Sequence, residues 1–148
     1  MINIYSDGSC YPNPGPGGWG AVLIDEEDRK EIHGSDPATT ISRMELMAAI
    51  QALECLVIPC EVRLYTDSQY VQKGMREWSL GWMINGWHTH NGDKVANADL
   101  WQRLLRAAKL HKVEWIWIRG HSGNPENERA DRLALLGRTI AEQQLDND

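Results

Sequence analysis

Two short stretches, far apart in the chain, end the same way. Ile4-Tyr5-Ser6-Asp7-Gly8-Ser9 reads as an apolar strand that delivers a carboxylate and turns at once on Gly8. Much later, Leu64-Tyr65-Thr66-Asp67-Ser68-Gln69 repeats the pattern. One aspartate at a strand end most often starts a turn or caps a helix. Two of them at matching positions constrain the fold far more. If the strands are neighbours, the carboxylates sit a few ångströms apart and repel, which costs free energy unless a cation lies between them.

The elements between them make that neighbourhood reachable. Cys10 to Gly18 holds three prolines and three glycines in nine residues, which predicts a rigid surface loop rather than helix or central strand. Trp19 to Ile24 resumes strand, Asp25-Glu26-Glu27-Asp28 is a charged hairpin turn, and Arg29 to Gly34 returns as an edge strand. Around Thr39 the period changes from two to 3.6. Leu46, Ala49, Ile50, Leu53 and Val57 fall at i, i+3, i+4, i+7 and i+11, the stripe of an amphipathic helix, and Pro59 ends it. Strand, helix and the Glu61–Thr66 strand then give a parallel right-handed crossover. Ser68 caps a helix to about Arg76, and a short helix follows. An exposed loop spans about Gly86 to Val95, then a helix 97–110, a strand 113–118 and a helix 126–143.

The fold expected is α/β. A five-stranded mixed sheet, made of an antiparallel three-strand meander plus two parallel strands, is flanked by helices in a single domain over residues 1–148. The Asp7 and Asp67 strands lie side by side at a topological switch point, where ligands bind beyond the carboxyl ends of strands. That geometry favours the cation.

Net charge is −6, which argues against indiscriminate binding of nucleic acid, but its distribution matters more. Residues 1–71 carry four Lys/Arg against eleven Asp/Glu, residues 72–112 seven against three, and residues 113–148 four against seven. An acidic body with one basic middle block suits a protein that meets a polyanion on one face. Part of that block (Lys73, Arg76, Arg103, Arg106, Lys109) is simply the solvated side of two helices. No apolar run approaches a membrane span and no signal-peptide pattern opens the chain. Three cysteines, Cys10, Cys55 and Cys60, match no disulfide or metal framework, so a reducing cytoplasm is expected.

Two further carboxylates can reach the same spot. Glu45 sits in the first turn of the helix after the meander, at the margin of its apolar stripe, and Asp131 shares a face of the last helix with Glu128. Oxygen ligands without clustered Cys or His select hard cations, magnesium or manganese over zinc. Three or four such groups fit two ions about 3.5–4 Å apart, the arrangement for in-line phosphoryl chemistry.

Asp7-Gly8-Ser9 with Asn13-Pro14-Gly15-Pro16-Gly17-Gly18, Arg43-Met44-Glu45-Leu46, Thr66-Asp67-Ser68-Gln69-Tyr70, and Gly120-His121-Ser122-Gly123 with Asn127-Glu128 and Asp131 together resemble bacterial type 1 ribonuclease H from about residue 3 to 136. The resemblance implies a monomeric endonuclease that cuts the RNA strand of an RNA–DNA hybrid, leaving 5′-phosphate and 3′-hydroxyl ends, with no obligate protein partner. It makes Asp7, Glu45, Asp67 and Asp131 the ligands of two Mg2+ ions, for which Mn2+ can substitute. Asp7, at the centre of the sheet, is placed to bridge both. His121, in a Gly-flanked loop, matches a histidine that shuttles a proton or helps product leave. For substrate, it implies minor-groove contacts from the backbone around Gly8 to Cys10 and from Asn13, Ser42 and Gln69. Thr40, Trp82 and Asn97 match a phosphate-and-sugar pocket for the DNA strand, and Lys94 lies in the exposed loop. His33 and His111 read as surface residues, and Trp78, Trp101 and Trp115 as core.

Two departures stand out. Ile41-Ser42 replaces the usual asparagine pair, so one groove contact is lost. The exposed loop, a basic handle in the family, here carries Lys94, His88 and His90 against Asp93. Fewer phosphate contacts predict a raised KM, more so once the histidines are neutral, and a shallower salt dependence, each lost contact removing about 0.9 from the slope. A hybrid-binding module that no longer cuts is the main rival; it should lack one of the four carboxylates, and none is missing. A resolvase or transposase core would need additional segments, for which the chain leaves no room.

Overall fold

The computed structural model describes residues 1–146. Strands β1 (Ile2–Cys10), β2 (Gly15–Ile24) and β3 (Arg29–Thr39) form an antiparallel meander. Helix α1 (Ile41–Glu54) crosses to β4 (Glu61–Thr66), which pairs parallel with β1. Next come α2 (Gln69–Lys73), a π-helical turn at Gly74–Trp78, α3 (Ser79–Ile84), α4 (Ala98–Lys109), β5 (Lys112–Trp117) parallel to β4, and α5 (Pro125–Asp146). The sheet order is β3-β2-β1-β4-β5, the expected mixed topology.

Register delivers the two aspartates together. Ile4 pairs with Leu64, Tyr5 with Tyr65 and Ser6 with Thr66, so Asp7 and Asp67 are the next residues on adjacent parallel strands. The rings of Tyr5 and Tyr65 stack at 4.6 Å, holding that register from one face. On the other face Ile4, Val62 and Leu64 are buried under α1, whose Ala48, Ala49 and Ala52 are fully buried. Those small side chains let the helix lie close on the sheet.

The ends of several elements differ from expectation for identifiable reasons. β2 begins at Gly15, inside the stretch expected to be loop, and pairs on both sides with a register shift between Gly15 and Gly17. Glycines there make room for α5. A Cβ on Gly18 would overlap the α5 backbone at Ala134, Gly137 and Arg138, and one on Gly20 would lie 2.5 Å from the Leu133 Cβ. β3 runs on to Thr39 and tolerates Pro37 because it is an edge strand. α1 stops at Glu54, and Val57 is 94% exposed rather than part of the buried stripe. The helical period persists in the sequence for a turn after the chain has left the core.

The tryptophans divide. Trp101 is fully buried and Trp115 nearly so, but Trp78 is 39% exposed, on the outside of the π turn. Tyr70, Trp78, Trp82, Trp87 and Trp101 form one aromatic cluster with ring separations of 5.1–6.3 Å, which ties α2, α3, the loop after α3 and α4 together. At its centre the Tyr70 hydroxyl accepts from Trp101 Nε1 at 3.0 Å and from Asn97 Nδ2 at 3.1 Å. Tyr70→Phe would leave both donors without an acceptor, and a loss of about 1–3 kcal/mol is expected in denaturant unfolding. His111 is not simply a surface residue: its Nδ1 accepts from the Cys60 N–H at 3.1 Å, joining the starts of β4 and β5.

Candidate active site

Four chain segments converge at the carboxyl ends of β1 and β4. β1 brings Asp7 and β4 leads into Asp67. α1 starts against β1 and brings Glu45, and α5 brings Asp131. Carboxylate oxygens of Asp7, Glu45 and Asp67 all lie within 4.8 Å of one another. Asp131 faces Asp7 and Asp67 closely enough for its charge to act on both, although it lies outside that tightest set.

Asp7, Glu45 and Asp67 carry the electrostatic mark of this crowding. Burial, then the charges of Asp67 and Asp131, push Asp7 up to about 9, against a single relieving hydrogen bond from the Gly8 N–H at 2.9 Å. Burial pushes Glu45 up to about 7, with Asp67 adding to it and the Ser68 hydroxyl opposing. Asp67 is likewise raised, by burial and by Asp131, and drawn down by its hydrogen bond to Asp7, by the Asn127 amide and by His121. Like charges held this way need a counter-ion, and an all-oxygen donor set fits a hard divalent one.

Neutral groups that lie within or near the motifs, and to which the sequence reading gave no role beside the acids, complete the surroundings. Ser68, 5% exposed, accepts from the Val71 N–H as the α2 cap and also reaches Glu45. Asn127 is 2% exposed, stands one turn before Asp131 and turns its amide toward Asp67. The i, i+4 spacing of Asn127 and Asp131 was the available signal. Trp117 Nε1 donates to the Asp67 carbonyl at 3.1 Å, and a Cβ on Gly120 would lie 2.7 Å from Asp67 Oδ2. His121 is exposed in the loop before α5, with φ +56.

Ion pairs and a capping side chain hold the start of α5 against the sheet. Arg129 pairs with Glu31 through two bonds of 2.8 and 2.9 Å, and Arg29 bridges Glu31 and Glu126. Asn124 Oδ1 accepts from the N–H groups of Glu126 and Asn127, both at 3.0 Å.

The residues expected to touch substrate are spread over several elements. Asn13, in the exposed loop after β1, accepts from the Ile41 N–H at 3.2 Å. Thr40 caps α1, its hydroxyl accepting from the Arg43 N–H, and Ser42 is half-buried in the first turn. Gln69 opens α2 and is exposed. Cys10 is 5% exposed, its thiol directed at the carbonyls of Pro12, Gly15 and Thr39, so only its backbone can face a ligand. Trp82 is half-buried in the aromatic cluster. Asn97, left-handed at φ +59, points its amide at Arg43 and Tyr70. Lys94 is exposed in the loop between α3 and α4, where it bridges His88.

A family model for RNase H matches residues 1–138. The chain belongs to the ribonuclease H family. It is 58% identical over 136 residues to ribonuclease HI of Caulobacter vibrioides, covering 92% of this chain and 91% of that one. It is 54% identical over 137 residues to ribonuclease H of Gluconobacter oxydans, covering 93% and 91%. Among solved structures, LC9-RNase H1, a type 1 RNase H with the type 2 active-site motif, aligns at TM-score 0.85 and 33% identity over 95% of this chain and 72% of that one. LC11-RNase H1, solved in complex with an RNA/DNA hybrid, shares the fold at TM-score 0.74 and 23% identity, over 95% of this chain and 99% of that one. As a ribonuclease H, the chain is an endoribonuclease.

Proposed function

We propose that this ribonuclease H hydrolyses the RNA strand of RNA–DNA hybrids and leaves 5′-phosphate and 3′-hydroxyl ends. The observation that carries the reading is the meeting of Asp7, Glu45 and Asp67 within 4.8 Å, with Asp131 alongside. Those four side chains would hold two Mg2+ ions, with Mn2+ as a substitute, the donor set being all oxygen. Such ions would supply a more acidic water for attack and charge neutralisation at the leaving 3′ oxygen.

The chain's own residues do the rest. Asp7, on the central strand β1 with the other three acids around it, would contribute to holding both ions. The Gly8 N–H fixes one Asp7 oxygen, and Ser68 and Asn127 orient Glu45 and Asp67. His121 stands beside Asp67 on a loop open to solvent, where it can take up or release a proton as product leaves. The backbone from Gly8 to Cys10, with Asn13, Ser42 and Gln69, faces the RNA strand, where the 2′-hydroxyl separates RNA from DNA. Thr40, Trp82 and Asn97 position the DNA strand, and Lys94 adds one phosphate contact from the loop. We place this activity in the cytoplasm, in a monomer acting without an obligate partner. No helix among the described residues is long and apolar enough to cross a membrane.

The test is incubation of a labelled RNA–DNA hybrid with magnesium, beside RNA–RNA and DNA–DNA duplexes. Cutting confined to the RNA of the hybrid is expected. Comparable cutting of either control duplex, or none of the hybrid, would overturn the reading.

A further inference from the structure

Arg43 is engaged on two sides. Its Nη1 donates to Asn97 Oδ1 at 3.3 Å and to Asp99 Oδ1 at 3.0 Å, and its Nη2 donates to Asp99 Oδ2 at 2.8 Å. The guanidinium thus meets a carboxylate through two parallel N–H···O bonds. That is the same fork with which it would grip two oxygens of a phosphodiester. Asp99 is not a distant residue that happens to swing in. Left-handed Asn97 starts α4 toward α1, and the first turn then presents Asp99 directly to Arg43.

The surroundings are those of a phosphate contact. Arg43 is two residues from Glu45. Its backbone N–H is held by Thr40, and Ile41, two residues before it, donates its own N–H to Asn13. Exposure is unequal: the Arg43 side chain is 34% exposed and that of Asp99 is 65% exposed. The arginine is therefore fixed by Asn97 and its packing, while the aspartate is free to turn into water.

We propose that Asp99 is a built-in competitor for nucleic-acid phosphate, its carboxylate holding the Arg43 fork in the free protein until a backbone phosphate displaces it. The inference rests on the reading that a hybrid duplex crosses this surface. It accounts for the pair's construction as well as its presence. An exposed ion pair of this kind shifts an equilibrium by no more than about fivefold, so a phosphate can win the exchange. The effect is to weaken substrate binding modestly and to give the arginine a partner again as product departs. Asp99 acts through Arg43 and touches no reacting atom; it sets affinity.

The experiment measures KM for an RNA–DNA hybrid from about 50 to 200 mM KCl for wild type, Asp99→Asn, Arg43→Met and the double variant. KM is insensitive to the fraction of enzyme that folds, so a loss of stability cannot imitate the result. Asp99→Asn is expected to lower KM by about three- to fivefold at the lowest salt. The advantage should shrink as salt screens the competing Arg43–Asp99 pair, so log KM of the variant should rise more steeply with log salt than that of wild type. Arg43→Met should raise KM, and adding Asp99→Asn to it should change nothing further. An unchanged or raised KM in Asp99→Asn, or a gain that persists without Arg43, overturns the proposal. Wild type that cuts the hybrid while Asp99→Asn shows no gain sinks the competitor alone; wild type that leaves the hybrid intact removes both readings.

Discussion

Asp7→Asn is expected to cut the hydrolytic rate by about a thousandfold or more and, without divalent ions, to raise the melting temperature at pH 8. The first effect follows from the loss of a carboxylate at the centre of the acidic group. Charge stabilisation by bound ions is worth several kcal/mol, and each 1.36 kcal/mol is a factor of ten in rate. The second follows from linkage. The folded chain holds Asp7 up to about 9, whereas an unfolded aspartate titrates near 3.9. A group raised on folding contributes stability that is complete below the unfolded value. That contribution is lost as pH rises through the folded one.

Metal-free wild type should therefore lose stability between about pH 4 and 9, by at most about 1.4 kcal/mol per unit for each such proton. The asparagine carries no charge to desolvate and can donate to Asp67 or Asp131, so its curve should be flatter. Glu45, pushed up to about 7, adds to the wild-type slope in the lower part of that window. Magnesium should then stabilise wild type and leave Asp7→Asn nearly unmoved. Thermal melts from pH 5 to 9, with and without magnesium, check both parts. A variant less stable than wild type at pH 8 without ions would contradict the account of the cluster.

Gly8→Ala should be the most damaging small substitution near the acidic group. A Cβ there would lie 2.6 Å from the Met44 carbonyl carbon and overlap the Glu45 backbone nitrogen, so α1 must back away from β1. Helix backbone does not yield like the end of a flexible side chain. A cost of about 3 kcal/mol is expected. A shift of Glu45 by about 1 Å should lower kcat by about a hundredfold. Gly81→Ala is the counterpart: nothing lies within 4 Å, it sits inside α3, and a gain of about 0.5–1 kcal/mol is expected. Equal effects of the two alanines on kcat would show that the close approach at Gly8 does not govern the position of Glu45.

The strand topology could be read from the chain because one pattern occurs twice. Residues 4–7 and 64–67 share an apolar alternation ending on aspartate, and β1 and β4 pair in that register. Charge made Asp7, Glu45 and Asp67 visible, since like-charged side chains demand an explanation when they meet. Ser68 and Asn127 pose no such demand; they are uncharged, and their importance lies in being buried beside carboxylates, which only the folded chain reveals. The glycines at the start of β2 misled for a related reason. Local propensity disfavours Gly in a strand, but at Gly18 the missing side chain is what the neighbouring helix requires. Val57 shows the opposite error, an apolar residue in correct periodic step after the helix has ended.

The seating of α5, through its own Gly137, against Gly18, Gly20 and Gly34 bears on how the enzyme can change without losing its chemistry. Where main chain rests directly on main chain, the elevation of Asp131 over the sheet is set by atomic radii. The outward-facing residues of that helix can then diverge widely, in charge or in size, while the reach of the acid stays constant. Its inner face has no such latitude: one added methyl group would lift the whole element and carry the carboxylate away with it.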